Sequence, residues 1–183
     1  RLERRERLEE GDITREEGAR IVEVRVGLGY LNPALRDLRI GTNVTLLRTE
    51  IQVDSTKAEK LEELRSDPEM TYPLYGASPY LVNANVIYQP EHFGISAGAY
   101  FNVFGRRLDF TTMSATPNVY EYPRPDLSVF VAQQLTGRLS VKLRGSNLLN
   151  PKIAKAHEYK GELFDREAHF DGRSYSFGLS YSL

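Results

Sequence analysis

Three groups of residues in this sequence have types and spacings that chemistry could use. Gly94-Ile-Ser-Ala-Gly98 matches the G-x-S-x-G spacing of a hydrolase nucleophile turn, and Asp126 and His157 follow in the hydrolase order Ser, Asp, His. His157, Glu158, Glu162, Asp165, Glu167, His169 and Asp171 crowd one segment with imidazole and carboxylate donors that suit several divalent ions. Arg106, Arg107, Tyr120, Tyr122 and Arg124 gather guanidinium and phenol groups in a third region and are the candidates for ligand contact.

The elements that must hold these groups decide what they do. A nucleophile turn needs a strand, a sharp bend and a helix, whereas Ser96 lies inside an alternating stretch that continues to Phe104. Ser96 therefore reads as a strand serine, no catalytic residue is assigned, and the chain is not read as an enzyme. The segment from His157 to Asp171 lacks the tight ligand spacing of a metal site and reads as a solvated loop. No metal and no cofactor is assigned.

Composition excludes further classes. With 24 Lys+Arg against 25 Asp+Glu the formal charge is -1, so no basic excess exists to neutralise a phosphate backbone, and nucleic acid is not expected as a partner. The absence of cysteine rules out a disulfide framework and a thiolate metal site. The longest apolar run is Val129 to Ala132, far short of the about 20 residues a spanning helix needs. The opening Arg-Leu-Glu-Arg-Arg has no secretory apolar stretch, and the chain is expected to be processed or a fragment.

Charge is unevenly spread. Residues 1 to 20 hold thirteen charged side chains, Asp54 to Met70 nine and Pro151 to Asp171 nine, whereas Ser78 to Phe104 holds only Glu91. Charge-dense blocks thus alternate with charge-poor stretches of strand-forming composition. The stretch Arg173 to Leu183 places Tyr175, Phe177, Leu179, Tyr181 and Leu183 on one face and Ser174, Ser176, Gly178, Ser180 and Ser182 on the other, a period of two that no helix produces. The same alternation runs through Tyr80 to Tyr88, Ile95 to Val103, Leu139 to Arg144 and Val22 to Leu28. Seven strands are predicted, over about 19–30, 38–53, 78–88, 95–105, 124–134, 137–149 and 172–183.

The connections alternate in length. Leu31 to Asp37, Gln89 to Gly94 and the region of Leu135 to Gly137 are short, while Asp54 to Ala77, Arg106 to Pro123 and Pro151 to Gly172 are long and polar. Ser55 to Asp67 is predicted to form a short helix within the first long loop, ending before Pro68. In an up-and-down antiparallel sheet every second connection lies at the same end, so short turns share one rim and long loops the other, the habit of outer-membrane barrels. The Ser and Gly face of the last strand would leave a narrow barrel hollow but suits the wall of a wide lumen. The apolar face is therefore expected to meet lipid. Tyr30, Tyr80, Tyr88 and Tyr181 stand near strand ends, where aromatic girdles sit.

These segments carry a family resemblance. Tyr75-Gly-Ala-Ser-Pro-Tyr-Leu-Val-Asn-Ala-Asn-Val-Ile-Tyr88 resembles the "QSPYLVNA…Y" strand of TonB-dependent outer-membrane receptors, and Tyr100-Phe-Asn-Val-Phe-Gly-Arg-Arg107 resembles their "YN..G.R" strand and turn. Val119-Tyr-Glu-Tyr-Pro-Arg-Pro-Asp-Leu127 is similar to "YE.PR..LD", and Leu143-Arg-Gly-Ser-Asn-Leu-Leu-Asn150 to the "K..N.NLLN" strand near the family's C-terminus. Gly178 to Leu183 is similar to the barrel-assembly signal, with Leu183 where such barrels usually end in Phe. The likeness covers Thr71 to Leu183 well, Gly18 to Val53 loosely and residues 1 to 17 not at all.

The resemblance implies an antiparallel up-and-down transmembrane β-barrel segment, about seven strands of a larger barrel, with residues 1–18 a charged loop or tail and 19–183 the C-terminal portion of the barrel domain. It implies uptake of a scarce ligand, such as a siderophore, cobalamin or an oligosaccharide, across the outer membrane of a Gram-negative-type bacterium. Tyr175, Phe177, Leu179, Tyr181 and Leu183 would carry the assembly signal. The implied partners are outer-membrane lipid, a plug domain and remaining strands, the inner-membrane TonB-type energy-coupling complex and the barrel-assembly machinery. The family's plug and coupling box have no counterpart in this sequence, so a C-terminal piece of a longer receptor is expected. The other reading from the same residues is a stand-alone small outer-membrane barrel with a structural or adhesion role.

Overall fold

The computed structural model describes residues 2–4, 15–27, 36–53, 55–64, 68–90, 92–112 and 116–182, with side chains described from residue 36 onward. The strands run in chain order β1 Leu2–Arg4, β2 Arg15–Gly27, β3 Leu38–Gln52, β4 Thr71–Tyr72, β5 Tyr80–Tyr88, β6 Ile95–Phe104 and β7 Arg107–Phe110. They continue as β8 Val119–Glu121, β9 Pro125–Gln134, β10 Leu139–Ser146, β11 Ile153–Tyr159, β12 Glu162–His169 and β13 Ser174–Tyr181, and one helix, α1 Ser55–Leu64, lies between β3 and β4.

The period-two segments build one curled, half-barrel antiparallel sheet in the order β1-β2-β3-β5-β6-β9-β10-β13, with β4 paired to the end of β3. Its neighbours are sequential except where a long connection intervenes. The long connections β3 to β5, β6 to β9 and β10 to β13 all lie at one rim, opposite the short β5–β6 and β9–β10 turns. All seven predicted strands are present as β2, β3, β5, β6, β9, β10 and β13. Tyr30, the expected end of the first of them, and Leu183 lie outside the described residues.

Two differences from the sequence reading concern charged segments. Within residues 1–18, expected as a loop or tail, β2 starts at Arg15 and β1 pairs with Glu17 to Ala19, so this segment contributes strand backbone. The connections 106–123 and 151–172, expected as long polar loops, hold β7, β8, β11 and β12, which form a second sheet in the order β12-β11-β8-β7. The reason is that charges here pair with one another while a few apolar residues turn inward. Lys160 and Gly161, both at positive φ (53° and 81°), make the two-residue hairpin turn that joins β11 to β12.

The register sorts side chains cleanly by face. Residues opposite one another across strands share a face, so Ile40, Val86 and Ala99 line up, as do Val44, Val82 and Val103, and Val131, Leu143 and Phe177. The other face carries Asn43, Asn83 and Asn102 in one row, and Asn102 Nδ2 donates to Asn83 Oδ1 at 2.6 Å. No described element packs on either face: Leu46, Leu143, Phe177 and Leu179 are among many large apolar side chains left exposed.

The buried core sits at the long-loop rim instead. Leu108 and Val119 are fully buried, and Ile153, Ala156, Phe104 and Leu61 of α1 are buried too. The two sheets are continuous through Gly105, whose backbone N–H donates to Tyr80 O at 2.9 Å and where a Cβ would lie 2.7 Å from the Tyr80 ring. The Asn147-Leu-Leu-Asn150 corner ties β10 to β13. Asn147 and Asn150 both take positive φ, a conformation Asn tolerates, Asn147 Nδ2 donates to Gly172 O at 2.6 Å, and Gly172 N donates to Asn150 Oδ1 at 2.9 Å.

Leu108→Ala is expected to destabilise the rim sheet by about 2–5 kcal/mol, the usual cost of emptying a fully buried site. Hydrogen exchange should accelerate at Val119–Glu121 and Ile153–Tyr159 while the middle of β5 and β6 keeps its protection. Equal acceleration in both sheets would contradict a core confined to the rim.

Candidate functional site

The second sheet brings the five ligand-contact candidates together. Arg106 lies in the link before β7 and Arg107 opens it, Tyr120 lies in β8, and Tyr122 and Arg124 lead from β8 into β9. Pairing of β8 with both β7 and β11 sets Glu121 opposite Arg107 on one side and Lys155 on the other.

Each arginine is matched to a carboxylate. Arg107 holds Glu121 Oε2 through Nη2 at 2.7 Å and Nε at 2.8 Å, and its guanidinium lies 4.1 Å from the Phe104 ring centroid. Arg124 reaches the other Glu121 oxygen at 3.7 Å and Asp171 at 3.7 Å. Arg106 pairs with Glu158 and stacks 4.2 Å from the centre of the Tyr120 ring. Lys155 joins Asp109 at 2.9 Å, and this hydrogen bond raises its pKa above the ordinary lysine value. Glu121 is buried, so two guanidiniums around one carboxylate supply the compensation a buried charge needs.

Tyr120 anchors a smaller polar group beneath this network. Its ring is buried, its hydroxyl donates to Glu69 Oε2 at 3.4 Å, and Asn118 Nδ2 donates to the same oxygen at 3.0 Å. Burial, then the nearby Glu69 charge, push the Tyr120 phenol up to about 12. Tyr122 is also raised, first by burial, and its hydroxyl donates to Glu158 at 3.4 Å. A cavity of about 20 Å³ beside this group is lined by Val53, Lys57, Leu61, Glu69, Tyr72 and Asn118, space for one water.

The other two groups of residues are not assembled. Ser96 lies near the short-turn end of β6, opposite Ala132, while Asp126 pairs with Asn102 six residues further along that strand, about 20 Å away at strand rise. His157 belongs to the second sheet, with Nδ1 hydrogen-bonded to Pro117 O at 2.7 Å. Four of the five acids of residues 157–171 are engaged with cations: Glu158 with Arg106, Asp165 with Lys152, Glu167 with Lys155, and Asp171 with Arg124. Among the described residues no group of three His, Cys, Asp or Glu is placed to hold an ion.

Tyr175, Phe177, Leu179 and Tyr181, expected to carry an assembly signal, lie on the apolar face of β13, 61–74% exposed, and β13 ends the sheet. Sequence reasoning missed Glu69, Asn118 and Glu121 as partners of the arginines and tyrosines, and it read Glu158 as a possible metal donor rather than as the partner of Arg106 and Tyr122. Glu121 was within reach of it, since it stands between two of the tyrosines already singled out. Glu69 comes from the α1 loop and carries no local signal. No protein-family model matches the chain, and no curated protein and no solved structure matches it either.

The raised Tyr120 pKa has a definite sign. The folded chain holds the proton more tightly than the unfolded chain, so the contribution to stability is complete below pH 10 and is lost as the pH rises toward 12. Alkaline titration followed by phenolate absorbance should show one tyrosine ionising late, near 12, with the rim sheet opening over pH 10 to 12. Tyr120→Phe should delete that late step; if the step persists in the variant, the assignment is wrong.

Proposed function

We propose that the chain forms part of the wall of an outer-membrane β-barrel of the TonB-dependent receptor kind, which takes up a scarce ligand such as a metal-siderophore complex, cobalamin or an oligosaccharide. The observation that carries the barrel reading is the apolar face of the main sheet. It runs without a break across β3, β5, β6, β9, β10 and β13, and no described element packs on it. A soluble monomer rarely exposes a contiguous apolar patch beyond a few hundred Å². Hydrocarbon is a solvent in which such a face costs nothing.

The dimensions agree with this reading. Tyr80 and Tyr88 bound the apolar face of β5 and stand eight residues apart, about 26 Å along the strand, against an apolar band about 25 Å tall between aromatic girdles. No described helix is long and apolar enough to cross a membrane, which leaves strands as the spanning elements of this proposal. Within it, the rim sheet faces the aqueous exterior, and β13 and β1 pair with further strands, because lipid cannot satisfy a bare strand edge.

The receptor reading rests on the order and spacing of the segments from Tyr75 to Leu183 that resemble that family. It brings with it a plug domain, the inner-membrane energy-coupling complex and the barrel-assembly machinery as partners, and the outer membrane of a Gram-negative-type bacterium as the location. One observation favours the alternative of a small stand-alone barrel: the sheet path has eight strands, so β1 and β13 run antiparallel, the parity that closure requires. Against it, Ser174, Ser176, Gly178 and Ser180 would leave the narrow interior of such a barrel unfilled.

Substitution on the two faces tests the barrel reading. Val86→Arg and Leu143→Arg should each hinder insertion into lipid vesicles at a cost of about 2–4 kcal/mol, while Asn85→Arg is tolerated. Heat-modifiable mobility and protease protection report the inserted fraction. Equal insertion of all three variants, or a defect confined to Asn85→Arg, would overturn the face assignment.

A further inference from the structure

Arg106, Arg107 and Arg124 at the rim are neutralised by Glu121, Glu158 and Asp171, but Lys142 and Arg144 on the polar face of the main sheet are not. Lys142 and Arg144 stand two residues apart on β10, both exposed, and neither has an ion-pair partner among the described residues. Asp126 is the one carboxylate that the register places on this face from β3 to β13, and it lies four residues from Phe130 along β9, about 13 Å toward the rim. A bare pair of like charges on a stiff sheet repels itself unless an anion lies between them.

Aromatic rings adjoin this pair. Phe130 sits in register between Gly98 of β6 and Arg144 of β10. A Cβ on Gly98 would lie 2.5 Å from Phe130 Cε1, so the ring leans across β6 into space that only glycine leaves open. Tyr100 stacks beside it, with centroids 6.0 Å apart and planes 21° apart, and Lys142 Nζ stands 5.6 Å from the Phe130 centroid. On the far side of β10 the floor is Ser176, Gly178 and Ser180, which leaves room above the sheet.

We propose that Tyr100, Phe130, Lys142 and Arg144 form a binding patch for an aromatic anion, an aryl carboxylate or sulfonate, whose ring stacks on Phe130 and whose charge lies between Lys142 and Arg144. Stacking supplies shape and the two cations supply sign, a pairing the rim cluster cannot offer because its cations are already matched. The proposal rests on the reading above that the polar face is the wet one.

Benzoate is the probe, titrated into the complete barrel that contains this chain, folded in zwitterionic lipid, and followed by NMR shifts at Phe130 and Lys142. Benzoate should bind about tenfold more tightly than neutral benzamide and than ring-saturated cyclohexanecarboxylate. The Lys142→Gln, Arg144→Gln double variant should remove the preference over benzamide, and Phe130→Leu the preference over cyclohexanecarboxylate. Equal binding of all three probes, or double-variant shifts identical to the parent's, would overturn the patch. Ser176→Cys labelling by a water-soluble maleimide separates the two readings: labelling without benzoate binding sinks the patch alone, and no labelling sinks both the wet face and the patch.

Discussion

Everything in this structure turns on a sheet whose strands are paired with one another but whose apolar face has no partner among the described residues. The ladders from β1 to β13 join amides and carbonyls between neighbouring strands, which leaves the outer edges as the unpaired backbone of the sheet. Its side chains do need a partner. Burying one Val, Leu or Phe is worth roughly 1.5–3 kcal/mol, and this face leaves Val86, Val131, Leu143, Phe177 and Leu179 outside any core. The chain has thus placed its own core, around Leu108 and Val119, at one rim, and has left the larger apolar surface for something other than protein of the described chain.

On the proposed barrel reading, two solvents would account for the distribution of charge. The rim segments are dense in Arg, Lys, Asp and Glu, and the second sheet uses them in pairs, with Glu121 between Arg107 and Arg124 as the best enclosed. Exposed pairs of this kind contribute little singly, but Arg106 also stacks on the buried Tyr120 ring, and the Arg107–Phe104 stack joins the rim sheet to β6 of the main sheet. The polar wall below follows the opposite rule. From β3 to β13 it carries few charges, its amides bond to one another at Asn83 and Asn102, and Lys142 and Arg144 have no ion-pair partner among the described residues.

Much of the main sheet was legible because a period of two survives in the residues themselves: Tyr175, Phe177, Leu179 and Tyr181 against Ser and Gly leave no other element possible. The α1 helix was legible from its charge spacing. The second sheet was hidden because its strands are short and carry charge on both faces, as in Glu162-Leu-Phe-Asp-Arg-Glu-Ala-His169, which reads as loop by composition. Only Lys160-Gly161 between two alternating stretches signalled the hairpin. Of the site, the arginines and tyrosines were readable as a cluster, whereas the pairing of the arginines with Glu121, Glu158 and Asp171 depends on strand pairing, and that of Tyr120 with Glu69 on a loop 51 residues distant. The face of Phe130 could not be separated from lipid-facing aromatics until the register placed it opposite Gly98.

An environment scan along β5 tests the central claim most directly. Single cysteines at 82 to 87, each carrying a polarity-sensitive fluorophore, are compared in lipid vesicles with and without a lipid-borne quencher. Emission at Val82, Ala84 and Val86 should be blue-shifted and quenched by lipid, and emission at Asn83 and Asn85 should report water. The same aqueous signal at every position in a monodisperse chain would contradict a lipid-facing sheet, as would the inverse alternation.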